Sequence, residues 1–258
     1  MSDFLSRVIA GGDIQRLFPP VSFGAPGDAK LFATHATTIV GVCAKDAAVV
    51  CADTQATNTQ KLDRYREPVS KLTIAGEYGV VGIAGAPGPG LKSTRLFQVA
   101  VSAEQCLTGG MVSVEKYGLM LQDIATQLFP LVMSTGGELA VAFLLGCYDL
   151  ESRTGRVVTI DPTGFLLEHK ETGYVAIGSG ADPAQDWLDE NYRGRASAST
   201  AQEALRAGIG ALRKAAERNA GTGEPFCAVI LNKDGARTVP HGEIDAVLND
   251  IRGGVHGR

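Results

Sequence analysis

Thr37-Thr-Ile-Val-Gly-Val-Cys43, Lys45-Asp46 and Ala48-Val-Val-Cys-Ala52 form the stretch of the 258-residue sequence that decides the fold. Two runs of β-favouring residues flank a short polar turn, so the stretch reads as a hairpin. Residues 69–74 and 79–84 give a second pair of strands across Gly76-Glu77. Helical spacing follows. Leu91, Leu96, Val99 and Leu107 share one candidate helix; Tyr117, Met120, Leu121, Ile124 and Leu128 stripe a second, which Pro130 is expected to end. Strand character returns at 139–148, 156–160, 165–169 and 174–177. Helices at 183–192 and 200–218 then precede a strong strand at 226–231 and a small one near Val239. Strict strand–helix alternation is absent, which disfavours a doubly wound parallel sheet. An α+β arrangement of two packed, largely antiparallel sheets with helices outside would bury these faces. Residues 1–36 hold Gly11-Gly12, Pro19-Pro20 and Pro26-Gly27 without a sustained period. They read as a loosely ordered leader ahead of one domain over 37–258.

With 45% apolar residues and Lys+Arg 24 against Asp+Glu 28, the formal net charge is −4. That balance argues against a nucleic-acid partner and against an anionic membrane. The apolar runs are too short to span a bilayer, and the first residues lack a secretory pattern. Five cysteines, Cys43, Cys51, Cys106, Cys147 and Cys227, are odd in number and widely spaced. They read as reduced, mostly buried thiols of a cytoplasmic protein and suggest no metal site.

The chemistry centres on the place where the first strand begins. A cut between Ala36 and Thr37 would give Thr37 a free α-amine beside its own hydroxyl. A hydroxyl is a weak nucleophile and needs a base; an α-amine titrates at about 7.7–8.0, close to the working range of one. One residue would then supply both. Taken alone, Thr37-Thr38 is simply a β-favouring strand start. Three further features shift that balance. Asp53 ends the second strand, where it could sit beside the start of the first. Lys71 opens the third; its ammonium would lower the pKa of a nearby hydroxyl, and a carboxylate could keep it charged. Gly85, in Gly82-Ile-Ala-Gly-Ala-Pro87, lets a backbone N–H approach a reacting carbonyl.

Thr37-Thr-Ile-Val-Gly-Val, Ala52-Asp-Thr-Gln-Ala-Thr57, Lys71, Gly82-Ile-Ala-Gly85, Ala176-Ile-Gly-Ser-Gly180 and Thr222-Gly223 resemble, in order and spacing, the bacterial proteasome β-type subunits. These are N-terminal-nucleophile hydrolases. The resemblance covers nearly all of 37–231. It implies a four-layer α-β-β-α sandwich, peptide-bond hydrolysis without metal or cofactor, and a propeptide removed autocatalytically. By it, Thr37 is nucleophile and base, Asp53 and Lys71 tune it, Gly85 is the oxyanion donor, and Ser179 orders the amine and a water. Thr57 and Gly85 pair with the substrate backbone. Ala56, Val69, Thr73, Ile83 and Pro87 line the first specificity pocket, mostly apolar and uncharged. The implied partners are unfolded protein or peptide substrates and identical subunits in stacked rings, with α-type subunits and an ATPase unfoldase as further candidates.

Two departures matter. Asn219 stands where the family usually has Asp, which implies weaker support for the Thr37 amine, and a gain in turnover from Asn219→Asp. Ala36 stands where Gly commonly precedes the nucleophile, which implies slow leader removal. Length favours a β-type subunit over the shorter HslV, whereas Gln55 resembles HslV; a self-assembling bacterial homologue would account for both. A catalytically silent ring subunit and a small-amide hydrolase are the competing classes.

Overall fold

A computed structural model of the chain describes residues 37–55, 57–58, 63–64 and 70–253, the pieces at 57–58 and 63–64 by backbone alone. The leader over 1–36, with Ala36, and the candidate pocket residues Ala56 and Val69 lie outside the described residues.

Strands β1 (Thr38–Ala44) and β2 (Ala47–Asp53) pair antiparallel across Lys45-Asp46, with Ile39 opposite Ala52. Every residue of both is buried, which requires a layer on each face of the hairpin. β10 (Tyr174–Gly178) flanks β1, while β11 (Phe226–Asn232) and β12 (Gly235–Thr238) extend the sheet beyond β2. The second sheet runs in the order β5 (Leu72–Ile74), β6 (Gly79–Gly85), β7 (Val141–Asp149), β8 (Thr154–Ile160) and β9 (Leu166–Glu168), antiparallel throughout. A short pair, β3 (Thr57–Asn58) and β4 (Asp63–Arg64), stands apart from both.

Alternation along the strands divides the core into layers. Ile39, Val50, Val80, Leu144 and Leu231 meet between the sheets. Val40, Val42, Val49 and Cys51 point the other way, onto α3 (Ala181–Asn191), α4 (Ala201–Arg218) and α5 (His241–Gly253). Val81, Phe143 and Leu145 pack against α1 (Pro87–Thr108) and α2 (Val114–Ser134). The result is the expected four-layer α-β-β-α sandwich. Leu144 and Leu205 are fully buried, each contributing about 2 kcal/mol of transfer free energy. α4 begins where Thr200 and Glu203 satisfy each other's backbone N–H groups in a capping box. Among the described residues, no helix is long and apolar enough to cross a membrane.

Several elements differ from the sequence reading. α2 does not end at Pro130 but runs on to Ser134. Pro130 is solvent-exposed while Leu128 and Val132 on either side are buried, so packing holds the helix across the missing N–H. The third strand starts at Leu72, leaving Lys71 just before it. α5 was not anticipated. Its Ile244, Val247, Leu248 and Ile251 follow helical spacing and pack under α4 and β11. Among the cysteines, Cys43, Cys51 and Cys147 are buried and Cys227 half-buried, but Cys106 on α1 is exposed.

Candidate active site

The register of β1 against β2 sets the site. Because Ile39 faces Ala52, Asp53 arrives beside Thr38, and its Oδ1 accepts the Thr38 backbone N–H at 2.8 Å. Lys71 Nζ donates to both Asp53 oxygens, at 2.8 and 2.9 Å. The pair is almost wholly buried, with side chains 7% and 0% exposed. Burial pushes the Asp53 carboxyl up and the Lys71 ammonium down, while their attraction opposes both shifts. With two short bonds between them and backbone N–H groups also feeding Asp53, the geometry is that of an ion pair one residue from Thr37. Cys227 on β11 borders the pair, its thiol raised to about 11 chiefly by burial. The Lys71 carbonyl in turn accepts the Ile83 N–H at 3.2 Å, anchoring the lysine to β6.

A turn after β10 wraps the other side. Ser179 N–H donates to the Thr37 carbonyl at 2.8 Å, and the Thr37 nitrogen donates to Ser179 Oγ at 3.3 Å. The turn depends on Gly178, whose φ is +100° and where a Cβ would overlap the Thr37 carbonyl oxygen. That same Cβ would stand 3.4 Å from Ala84, so the turn meets the end of β6. Gly85 follows Ala84, at φ +117° and paired in register with Val141. The structure therefore gathers Thr37, Asp53, Lys71, Ser179 and Gly85 at one end of the sandwich, where the two sheets meet.

Asn219 caps α4 and reaches the same turn: its Nδ2 donates to the Ser179 carbonyl at 2.6 Å while Oδ1 accepts Gly221 N–H at 2.8 Å. Thr73, opposite Val81, and Ile83 share the helix-facing side of the second sheet, and Pro87 opens α1 two residues after β6 ends. Thr57 lies in β3, opposite Arg64. Two further residues, which the sequence motifs contain without an assigned role, join the site. Thr38 Oγ1 and Thr222 Oγ1 share a hydrogen bond of 2.6 Å, and Gly180 N–H donates to Thr38 Oγ1 at 3.2 Å. The signal was period two: the residue after the nucleophile must point to the opposite face, where it needs a polar partner. A cavity of about 570 Å³ lies at the far end of β1, lined by Lys45, Arg156 and His169 among others, and is separate from this constellation. Among the described residues, no group of three or more His, Cys, Asp or Glu is arranged to hold a metal.

The profile of the proteasome subunit family matches residues 33–231. A proteasome subunit beta of Frankia casuarinae is 30% identical over 257 residues, covering 97% of this chain and 88% of its own length. One of Stackebrandtia nassauensis is 31% identical over 88% of this chain and 81% of its own length. One of Streptomyces griseus is 29% identical over 85% and 77% respectively.

Proposed function

Because this chain belongs to the proteasome subunit family, we propose that it is a β-type threonine endopeptidase subunit of a self-compartmentalised protease acting on unfolded proteins. Thr37 is its nucleophile once residues 1–36 are removed. The observation that carries this reading is the buried Asp53–Lys71 pair, held by the Thr38 N–H beside Thr37.

In the intact chain the Thr37 nitrogen is a peptide N–H and cannot act as a base. Cleavage after Ala36 turns it into an α-amine titrating at about 7.7–8.0. That amine takes the Oγ1 proton as the oxygen attacks the substrate carbonyl. The Lys71 ammonium favours the amine's neutral form and stabilises charge developing on Oγ1. The Gly85 N–H donates to the oxyanion. The amine then passes its proton to the leaving nitrogen, and an ester on Thr37 remains. Water, deprotonated by the same amine, hydrolyses the ester and releases the carboxylic product. Ser179 Oγ, already bonded to the Thr37 nitrogen, orients its lone pair.

A peptidase free in cytoplasm would be harmful unless its sites were enclosed, and stacked rings of identical subunits provide the enclosure. α-type rings and an ATPase unfoldase are further partners of such an assembly. Intact-mass measurement of the assembled protein, before and after incubation, tests the reading. Loss of residues 1–36 should accompany the onset of peptide hydrolysis, with a lag set by the Cβ of Ala36. Full retention of the leader in a fully assembled, inactive particle would favour a silent ring subunit instead.

Thr73, Ile83 and Pro87 give the first specificity pocket an uncharged lining, so the protein should cleave after apolar residues. A fluorogenic peptide panel checks this; equal rates after acidic or basic residues would contradict it. The two Asn219 hydrogen bonds support an effect opposite to the one the resemblance implies. Gly221 N–H requires the acceptor side of the amide, so the donor side serves the Ser179 carbonyl. Asp at this position would set oxygen against oxygen, at a cost on the order of 1 kcal/mol for this partly exposed bond. Asn219→Asp should therefore lower kcat about fivefold in a steady-state assay.

A further inference from the structure

Gln55 touches no reacting atom, yet it joins the two halves of the support around Thr37. One half is the Asp53–Lys71 pair; the Asp53 carboxylate accepts a backbone hydrogen bond from Gln55 as well as that of Thr38. The other half is the loop over residues 219–223. There Asn219 holds the Ser179 carbonyl and Thr222 holds the Thr38 hydroxyl. The Gln55 side chain crosses to this loop and donates from Nε2 to the Ala220 carbonyl at 3.0 Å. Gln55 is only 7% exposed, so water does not compete well for that bond. Its amide fills the space in front of Gly223, where a Cβ would overlap Oε1. Apart from this tie, the Thr38–Thr222 hydroxyl pair and the two Thr54 bonds to the Pro225 carbonyl at 2.7 and 3.1 Å also connect this segment to the start of the sheet.

We propose that Gln55 is a positioning residue: it locks the 219–223 loop to the Asp53 end of β2, and so fixes where Ser179 holds the nucleophile Thr37 and Thr222 holds its neighbour Thr38. This rests on the peptidase reading and deepens it. Gln55 is nearly buried and its Nε2 is engaged by the Ala220 carbonyl, so loss of the tie should act on the reacting geometry more than on ground-state binding.

Gln55→Met keeps the length of the side chain and removes the amide; Gly223→Ala leaves Gln55 in place but displaces its amide. Each should lower kcat about tenfold while KM changes less than about twofold, because a small misplacement of the nucleophile is felt in the transition state. The double variant should be no slower than either single one, since both break the same tie. Amide hydrogen exchange at Gly221 and Thr222 should speed up in both, with the melting temperature close to that of the unmodified protein. An unchanged kcat in Gln55→Met, effects that multiply in the double variant, or unchanged exchange at 221 and 222 would each overturn the proposal. Should the unmodified protein show no Thr37-dependent turnover, the peptidase reading fails, and the exchange measurement alone decides the role of Gln55.

Discussion

Thr37→Ala, produced without residues 1–36, should abolish peptide hydrolysis, a loss of at least about 10⁴-fold in kcat. The substitution removes the attacking oxygen while leaving the α-amine, the Asp53–Lys71 pair and the Ser179 turn in place. Since the Thr37 contacts with Ser179 are made by its backbone, the variant should fold and assemble normally. Made with the leader attached, it should keep that leader indefinitely, because the same hydroxyl is needed for both cuts. Thr37→Ser is the informative control: it retains hydroxyl and amine, and should keep measurable turnover and self-processing. Intact mass together with a fluorogenic assay reads both effects. Turnover by Thr37→Ala near that of the unmodified protein would remove the basis of the proposed mechanism.

Lys71→Met should be nearly as damaging, by a different route. The change leaves Asp53 fully buried without its cation, and breaking such a pair costs about 3–5 kcal/mol of folding stability. The loss of positive charge near the reacting oxygen should lower kcat by about a thousandfold. Burial already raises the Asp53 carboxyl, and without Lys71 pulling it down it rises further. A folded-state pKa above the unfolded one means that the folded protein binds the proton more tightly. The associated stability is present at low pH and lost as pH rises through the raised value. The deficit of Lys71→Met relative to the unmodified protein should thus be smallest in mild acid and grow toward neutrality. Paired denaturant titrations between these limits measure it; a deficit independent of pH would mean that Asp53 is not the group left stranded.

The sequence made the two-sheet architecture legible because residues 38–44 and 47–53 are too uniformly apolar to be anything but interior strands. Pro130 misled because an exposed proline is tolerated where Leu128 and Val132 already hold the helix. α5 escaped notice although Ile244, Val247, Leu248 and Ile251 carry the helical period, since charged residues lie between them. At the site, Thr37, Asp53 and Lys71 could be read because each stands at the start or end of a strand. The Thr38–Thr222 pair could not, for its members are 184 residues apart. The Gln55 tie left even less trace, because its acceptor is a backbone carbonyl and any residue could stand at 220.

β1 lies inside its sheet, between β10 and β2, and is sealed above and below. Elements in that situation open only with the whole domain, not by local fraying. The reacting residue is thus attached to the last segment to let go on heating, so inactivation and melting should coincide in temperature. Thermal damage would then leave no population of folded but idle subunits.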